Sequence, residues 1–367
     1  MNCSVTAGES IQKAMDAAHA AGGGRVVLEP GVHATGTLFM RSHVDLHVPA
    51  GAIIQGSSNL EDYPDINDPG FGRVAPEKSR KCLIAALHSE NISITGEGEI
   101  NGAGPTFYDT NVPEGHFFAK PPYPRPRMIQ FLSCRNVRFE GVSFVDSPGW
   151  TFWLVDCENV KIHGITVTGC QQMINNDGID IDRCRNVTVS DCVIATGDDC
   201  LVLRAMRKSP DHHAVCENVV VSNCVLDSRC QAIRIGCPSD DTVRNSVFSN
   251  LILRGSGNGI HINNPKRYLR PGCNGYLDVH DIVFNNLIIE SAGVPIWINV
   301  EEGIKLRRIA GITFSSIRIQ SEQPCRLEGS SETIIEDIRF SEVRCRKAVV
   351  VERCRRVSIN QMEIDNA

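Results

Sequence analysis

The chain lacks most of the features that announce a location or a class. No apolar run approaches the roughly 20 residues a helix needs to cross a bilayer, so no membrane partner is expected. No block of like charge occurs, and the formal net charge is −6 over 367 residues. A nucleic-acid binder would carry a basic patch, so that partner is not expected either. Sixteen cysteines are present, yet no two stand as Cys-x-x-Cys, the spacing of most zinc and dithiol sites. The opening Met1-Asn-Cys-Ser-Val5 has no basic segment followed by an apolar one. It gives no sign of a secretory leader, and a cytoplasmic protein is the expectation.

What is present is repetition. The length fits two or three ordinary domains or one elongated repeat domain. One amphipathic helix is expected over residues 8–21, with Ile11, Ala14, Met15 and Ala18 on one face, ended by Gly22-Gly-Gly24. Short strands are expected at Arg25–Leu28, Thr37–Met40, Val44–Val48 and Ala52–Gln55. Beyond them, β-rich runs alternate with Asn, Asp, Ser and Gly turns. Cys134-Arg-Asn-Val-Arg-Phe-Glu-Gly-Val-Ser-Phe144 is echoed at Cys157–Val167, Cys184–Ile194 and Cys216–Leu226. Weaker copies stand at Thr242–Leu253, Asp281–Ile289, Gly311–Ile319, Glu336–Val343 and Arg356–Ile364.

Such a period marks a solenoid. Each repeat, read as two or three strands of about four residues, is too small to bury a core alone and must stack on its neighbours. Val then stacks on Val inside, Asn on Asn at the bend and Cys on Cys beside it. The cysteines therefore read as buried, reduced thiols. The leucine-rich repeat is the rival reading, but its Leu-x-x-Leu-x-Leu frame is missing and a parallel β-helix fits better. The expectation is an all-β, single-domain parallel β-helix over residues 1–367, capped at one end by the N-terminal helix. Two stretches break the rhythm and read as long loops near a cleft, residues 102–127 and residues 264–277. The first holds six prolines with Phe107, Tyr108, Phe117, Phe118 and Tyr123, and the second holds Lys266, Arg267, Tyr268 and Arg270.

The chemistry concentrates between Asn175 and Leu203. Asp177 lies in Asn-Asn-Asp-Gly, and 21 residues later Asp198 and Asp199 lie in Gly-Asp-Asp-Cys. One coil of that length puts Asp177 beside the pair, with carboxyl groups roughly 5–9 Å apart. Strand alternation sends Ile179 and Ile181 inward and Asp180 and Asp182 out. Clustered carboxylates suit general acid–base hydrolysis of a glycosidic bond, one keeping its proton and another activating water. The plainer reading is that Asp and Asn favour the bends of a solenoid. A calcium site is a third reading, because carboxylates are hard oxygen ligands.

These blocks, with Ser10-Ile-Gln-Lys-Ala-Met15, Gly96-Glu-Gly-Glu-Ile-Asn-Gly102 and Ser147-Pro-Gly-Trp-Thr151, resemble the polygalacturonase family, glycoside hydrolase family 28. The resemblance implies a right-handed β-helix and an inverting hydrolysis needing no metal or other cofactor. Asp198 would be the general acid, with Asp177 and Asp199 positioning and activating water. Two family marks fail. Cys230-Gln231-Ala232 stands in place of Gly-His-Gly, and His261-Ile262-Asn263 in place of Arg-Ile-Lys. In the family that His tunes the acid, while the Arg and Lys hold the substrate carboxylate. Asn175, Asp180, Arg204, Gln231, Arg234, His261, Lys266 and Arg267 are the remaining candidates for binding substrate. Trp150 and Trp297 read as packing residues before sugar platforms. The expected partner is a pectin-derived or related oligosaccharide, with exo action favoured by the bulky loops. A uronate lyase or epimerase and a non-catalytic carbohydrate-binding solenoid are the alternatives. The oligomeric state is left open.

Overall fold

The computed structural model describes residues 2–72, 78–269 and 276–364. The chain forms two compact units, Met1–Asp180 with Val187–Asp198, and Ile181–Asn186 with Asp199–Ala367.

In the first unit the strands stack as three parallel ladders. One joins Asn2–Val5, Gly24–Leu28, Val44–His47, Glu90–Thr95, Arg135–Glu140 and Glu158–His163. A second joins Gly31–Thr35, Ala52–Gly56, Glu99–Asn101, Ser143–Val145, Thr166–Thr168 and Val193–Thr196. The third joins Leu38–Phe39, Cys82–Leu87, Arg127–Leu132 and Phe152–Val155. Each strand pairs with its counterpart one coil on, which is the architecture of a parallel β-helix. The strands Asn2–Val5 and Gly31–Thr35 were not expected from the sequence.

The helix spans Ile11–Ala20, shorter than the expected 8–21. Ser10 is its N-cap, accepting a hydrogen bond from the Lys13 N–H at 3.3 Å. Ile11, Met15 and Ala18 are buried, as the periodicity requires, whereas Ala14 is half-buried. Gln12 fixes the helix by exchanging two hydrogen bonds with the backbone of Phe39, at 2.7 and 3.0 Å.

The second unit has two parallel ladders. The longer joins Val215–Ser228, Thr242–Ser256, Asp278–Ser291, Arg308–Gln320, Ile335–Cys345 and Cys354–Ile364. The other joins Leu201–Arg204, Gln231–Gly236, Asn258–Asn263, Ile296–Asn299, Arg326–Glu328 and Val350–Glu352. The longer ladder corrects the expectation of four-residue strands. Its members run from 11 to 15 residues because they turn corners without leaving the sheet. The corner residues Asn218, Asn223, Asn250 and Asn286 take φ of 55–57°, a left-handed conformation that Asn tolerates better than other side chains with a Cβ.

The bend asparagines stack as expected. Asn159 donates to Asn136 at 3.1 Å and Asn136 to Asn91 at 3.0 Å in the first unit. In the second, Asn286 donates to Asn250 at 2.8 Å and Asn250 to Asn223 at 3.2 Å. Inside that unit Phe248, Phe284, Phe314 and Phe340 form a continuous stack with centroids 4.7–5.0 Å apart. No disulfide forms among the described cysteines, most of which are buried. Burial pushes the Cys82 and Cys216 thiols up, so both stay protonated.

Candidate active site

The first unit carries Asp177 and Asp198. Asp177 sits where the chain enters a strand. Its carbonyl accepts from the Thr151 N–H at 2.8 Å, and its side chain is buried. Asp198 is half-exposed. Its Oδ2 accepts the backbone N–H of Asn175 at 2.9 Å, with the Asn175 Nδ2 at 3.4 Å. Thus the two acidic blocks do meet at one-coil spacing within this unit. Asn176 ties them as well, with its Oδ1 accepting from the Gly197 N–H at 2.9 Å. Gly197 is required there, because a Cβ would stand 2.3 Å from the Met173 carbonyl oxygen.

Asn175 is itself held. Its φ is 58°, and its Oδ1 accepts from Arg125 Nη2 at 3.2 Å. Arg125 Nη1 donates to the carbonyls of Pro148 and Ile174 at 2.8 and 3.0 Å and contacts the Tyr108 hydroxyl. Both residues come from the proline-rich segment 102–127. That segment is fastened further by Phe118 N–H to Gln172 O, at 2.8 Å. Burial holds Tyr108 well above the usual phenol range, so it remains a neutral donor, with Asp198 and Asp177 adding to the effect.

The second unit carries Asp199. Its Oδ1 accepts the backbone N–H of Gln231 at 3.1 Å, and its Oδ2 lies 4.0 Å from Arg234 Nη1. Both partners are buried, so the ion pair acts where solvent screens it little. Arg234 Nη2 donates to Asn263 Oδ1 at 2.8 Å. The Gln231 amide serves the fold, donating to Cys230 Sγ at 2.9 Å and accepting from Asn258 at 2.7 Å. An Asp199 oxygen and the Cys230 sulfur lie within 4.8 Å of each other. A buried guanidinium beside the carboxylate repels a divalent cation, and thiol sulfur is a poor calcium ligand. The calcium reading is weakened on both counts.

His261 follows Arg234 one coil on. It lies flat on Trp297, with ring centroids 4.5 Å apart, and its Nε2 faces Asn299 Oδ1 at 2.8 Å. Burial and then the Arg234 charge lower its pKa to about 3, so it is a neutral imidazole at physiological pH. Trp297 is half-buried and donates its ring N–H to Glu328 at 2.8 Å. Trp150 is buried, with Arg127 over its ring at 4.9 Å, a packing role as expected.

The other candidates divide by exposure. Asp180 in the first unit and Asp182 in the second, which strand alternation points out of the coil, have no exposed surface. Asp182 accepts from the Met206 N–H at 2.9 Å. Arg204 is also buried. Lys266 and Arg267 are exposed, with Lys266 N–H held by Glu301 at 3.1 Å and Arg267 over Tyr268 at 4.9 Å. Arg270, the third cation of that loop, lies outside the described residues. Sequence reasoning named Tyr108 only as a loop aromatic and Asn263 only within a replaced motif, and it did not name Arg125 or Asn299. Their roles depend on contacts between residues that no repeat or motif links.

Comparison with known proteins bears directly on these blocks. The sequence model described as "Glycosyl hydrolases family 28" matches residues 44–365. A probable polygalacturonase of Vitis vinifera is 28% identical over 188 residues, 50% of this chain and 37% of the relative. An endo-polygalacturonase of Pectobacterium carotovorum is 26% identical over 72% of this chain and 66% of its own length. The chain thus spans about two fifths of the plant relatives it matches. Among solved structures, an exopolygalacturonase from Thermotoga maritima superimposes with TM-score 0.79 at 23% identity, over 98% of this chain and 92% of its own. The polygalacturonase of Erwinia carotovora gives 0.73 at 20% identity, over 99% and 96%. The fold they share with this protein is the right-handed parallel β-helix. A match running through nearly every coil, both acidic blocks included, places the chain in glycosyl hydrolases family 28.

Proposed function

We propose that the protein is a glycosidase that hydrolyses pectin-derived or related oligosaccharides with inversion, acting from a chain end. Asp198 gives its proton to the glycosidic oxygen as the bond to the anomeric carbon breaks. Asp199, with Asp177, takes a proton from the water whose oxygen attacks that carbon from the opposite side. The observation that carries the assignment is the Arg234 guanidinium 4.0 Å from Asp199, both buried. A cation at that distance favours the carboxylate, which supports Asp199 as base. Asp198 is held through neutral N–H groups of Asn175 and is half-exposed, where it can meet a leaving oxygen. Exo action draws support from the relative named as an exopolygalacturonase and from the fastened 102–127 segment. His261 is neutral and the Arg234 charge faces Asp199, which favours a short or substituted oligosaccharide over unsubstituted polygalacturonan.

The test is product analysis on pectic and neutral oligosaccharides, with and without chelator, for wild type and Asp198→Asn. A saturated sugar of inverted anomeric configuration, indifferent to chelator and lost in the variant, is expected. Unsaturated products that need calcium would overturn hydrolysis in favour of elimination.

A further inference from the structure

Outward side chains of the shorter ladder in the second unit form a column that continues past the partner of Asp199. Arg234, His261, Trp297 and Arg326 occupy matching places on four successive coils. Trp297 stands two ladder steps, about 10 Å, from Arg234. An oligosaccharide whose scissile bond lies at Asp199 reaches that far. Alternation puts the indole outside, because Ile296 and Ile298 on either side of it are fully buried, whereas Trp297 and Asn299 are half-buried.

What separates this ring from a scattered surface hydrophobe is how firmly it is oriented. One face lies on His261, with the ring planes 4° apart. The ring N–H is held by Glu328 Oε2 at 2.8 Å, and Glu328 Oε1 accepts from Arg326 Nε at 2.6 Å. Stacking fixes the plane, and the hydrogen bond fixes rotation within it. The opposite face is treated differently. The residue in register beyond it is Arg326, a side chain suited to covering an aromatic ring. Arg326 instead turns along its own strand to Glu328. Neither a cation nor a second ring stacks on that face among the described residues. An indole face is flat and apolar. A sugar ring has a face of C–H groups that packs flat against such a surface, with its hydroxyls around the rim. At that rim stand the Glu328 carboxylate and Asn299, whose Nδ2 makes no hydrogen bond among the described residues.

Charge sets the class of sugar. Arg326 offsets Glu328, but Glu352, in register with Glu328 on the next coil, is exposed and pairs with no cation among the described residues. The open side of the ring is therefore net negative. The cations that act on His261 are Arg234 and Arg267, and both come from the two coils before Trp297. A uronate carboxylate is repelled on the open side, and an uncharged ring is not. We propose that the open face of Trp297 is a stacking subsite for a neutral sugar residue, two coils along the ladder from Arg234. The inference rests on the reading of this site as an oligosaccharide hydrolase. It names the sugar accepted away from the bond that is cut.

Fluorescence tests the subsite directly. The chain has three tryptophans, and Trp150 and Trp153 are buried, so Trp297 is the one that a surface ligand meets. The Asp198→Asn protein, chosen to suppress turnover, is titrated at low ionic strength with xylotetraose, β-1,4-galactotetraose and tetragalacturonate. At least one neutral probe should shift the emission to the blue, saturably, and the response should vanish in Trp297→Phe. Calorimetry with that probe should show Trp297→Phe, which keeps a ring, binding within about threefold, and Trp297→Ala about tenfold more weakly. Glu352→Gln should strengthen tetragalacturonate several-fold relative to the neutral probe, a gain that added salt removes. No response to either neutral probe would overturn the proposal, as would unchanged affinity in Trp297→Ala. Unchanged discrimination in Glu352→Gln would overturn the choice of a neutral sugar. Near-ultraviolet circular dichroism confirms that each variant is folded. Because binding is read without turnover, this subsite and the hydrolysis fail separately. Wild type that binds a neutral probe at Trp297 but cuts no sugar would sink the hydrolase and leave the subsite. Cleavage with Trp297 silent would do the reverse.

Discussion

Asp198 and Asp199 are neighbours in the chain, yet the two units hold them by different means. In the first unit Asp198 receives neutral N–H groups, and the nearest guanidinium of that network, Arg125, stops one residue short, at Asn175. In the second, Arg234 lies directly against Asp199. A pair of adjacent carboxyl groups has no intrinsic division of labour. The difference between an amide and a cation as the contacting group supplies one, because only the cation strongly favours the ionised form. On the proposed assignment, two identical side chains thereby take opposite roles.

The sharpest way to break that comparison is to remove the carboxylates one at a time. Asp198→Asn and Asp199→Asn should each lower kcat on a natural oligosaccharide by about 10³-fold, within the range for general acid–base catalysis. An aryl glycoside, whose leaving group needs no proton, should separate them. Asp198→Asn should return to within about tenfold of wild type, while Asp199→Asn stays down. Rescue of the wrong variant would reverse the two roles. The next effect belongs to Arg234. Replacing it with Met removes the buried cation that favours ionised Asp199. Because the base must be ionised, the acid limb of the pH–rate profile should move up by about 1–3 pH units. The rate near neutrality should fall about tenfold. Arg234→Lys should keep the limb near its place and lose only geometry.

Much of this was legible in the sequence, and what was not has a physical reason. The coils could be read because like residues must stack on like. Asn136 and Asn159 repeat since each bend needs the same left-handed residue. The acidic blocks could be read because their one-coil spacing is a property of the chain alone. The phenylalanine stack escaped notice because its members are 36, 30 and 26 residues apart (Phe248, Phe284, Phe314, Phe340). Coil length varies with each loop, so stacking register is not sequence period. The repeats that looked weakest build the longest strands, Thr242–Ser256 among them, because a ladder asks only for apolar residues facing inward. Asp180 and Asp182 show the limit of alternation, which gives the direction of a side chain and not what covers it. Arg125 was least visible of all, since its partner Asn175 is reached through a loop that has no period.

The setting of Asp199 has a consequence for stability that the setting of Asp198 does not share. His261, one coil beyond Arg234, is buried and neutral with its pKa lowered to about 3. Its Nδ1 has no hydrogen-bond partner among the described residues, so a proton added there would be buried beside Arg234 without compensation. The unfolded chain accepts that proton near pH 6.5. Between pH 6.5 and about 3 the unfolded state therefore binds more protons than the folded one. This contribution to stability is fully present above pH 6.5 and falls with pH, by at most about 1.4 kcal/mol per pH unit. Melting temperatures of wild type and His261→Gln, measured from pH 7 to pH 4, should converge as the pH drops. Parallel curves would mean that His261 is already charged or already solvated in the folded protein.

The smallest expected effect tests where the two units ought to agree. Asn136 in the first and Asn250 in the second each sit mid-ladder, donating to one asparagine and accepting from the next. Both have φ near 55°. Replacing either with Ala removes a stacked pair of hydrogen bonds and leaves a Cβ residue in the left-handed region without its local compensation. Each substitution should cost about 1–2 kcal/mol, read from denaturant midpoints at constant slope. Asn→Gly at the same sites should cost less, since glycine takes that conformation freely. Equal losses at the two positions would show that the ladders are interchangeable scaffolding and that the units differ only in how they hold their acids. A larger loss at Asn250 would trace to its long strand Thr242–Ser256, where one faulty corner disturbs 15 residues of pairing rather than six.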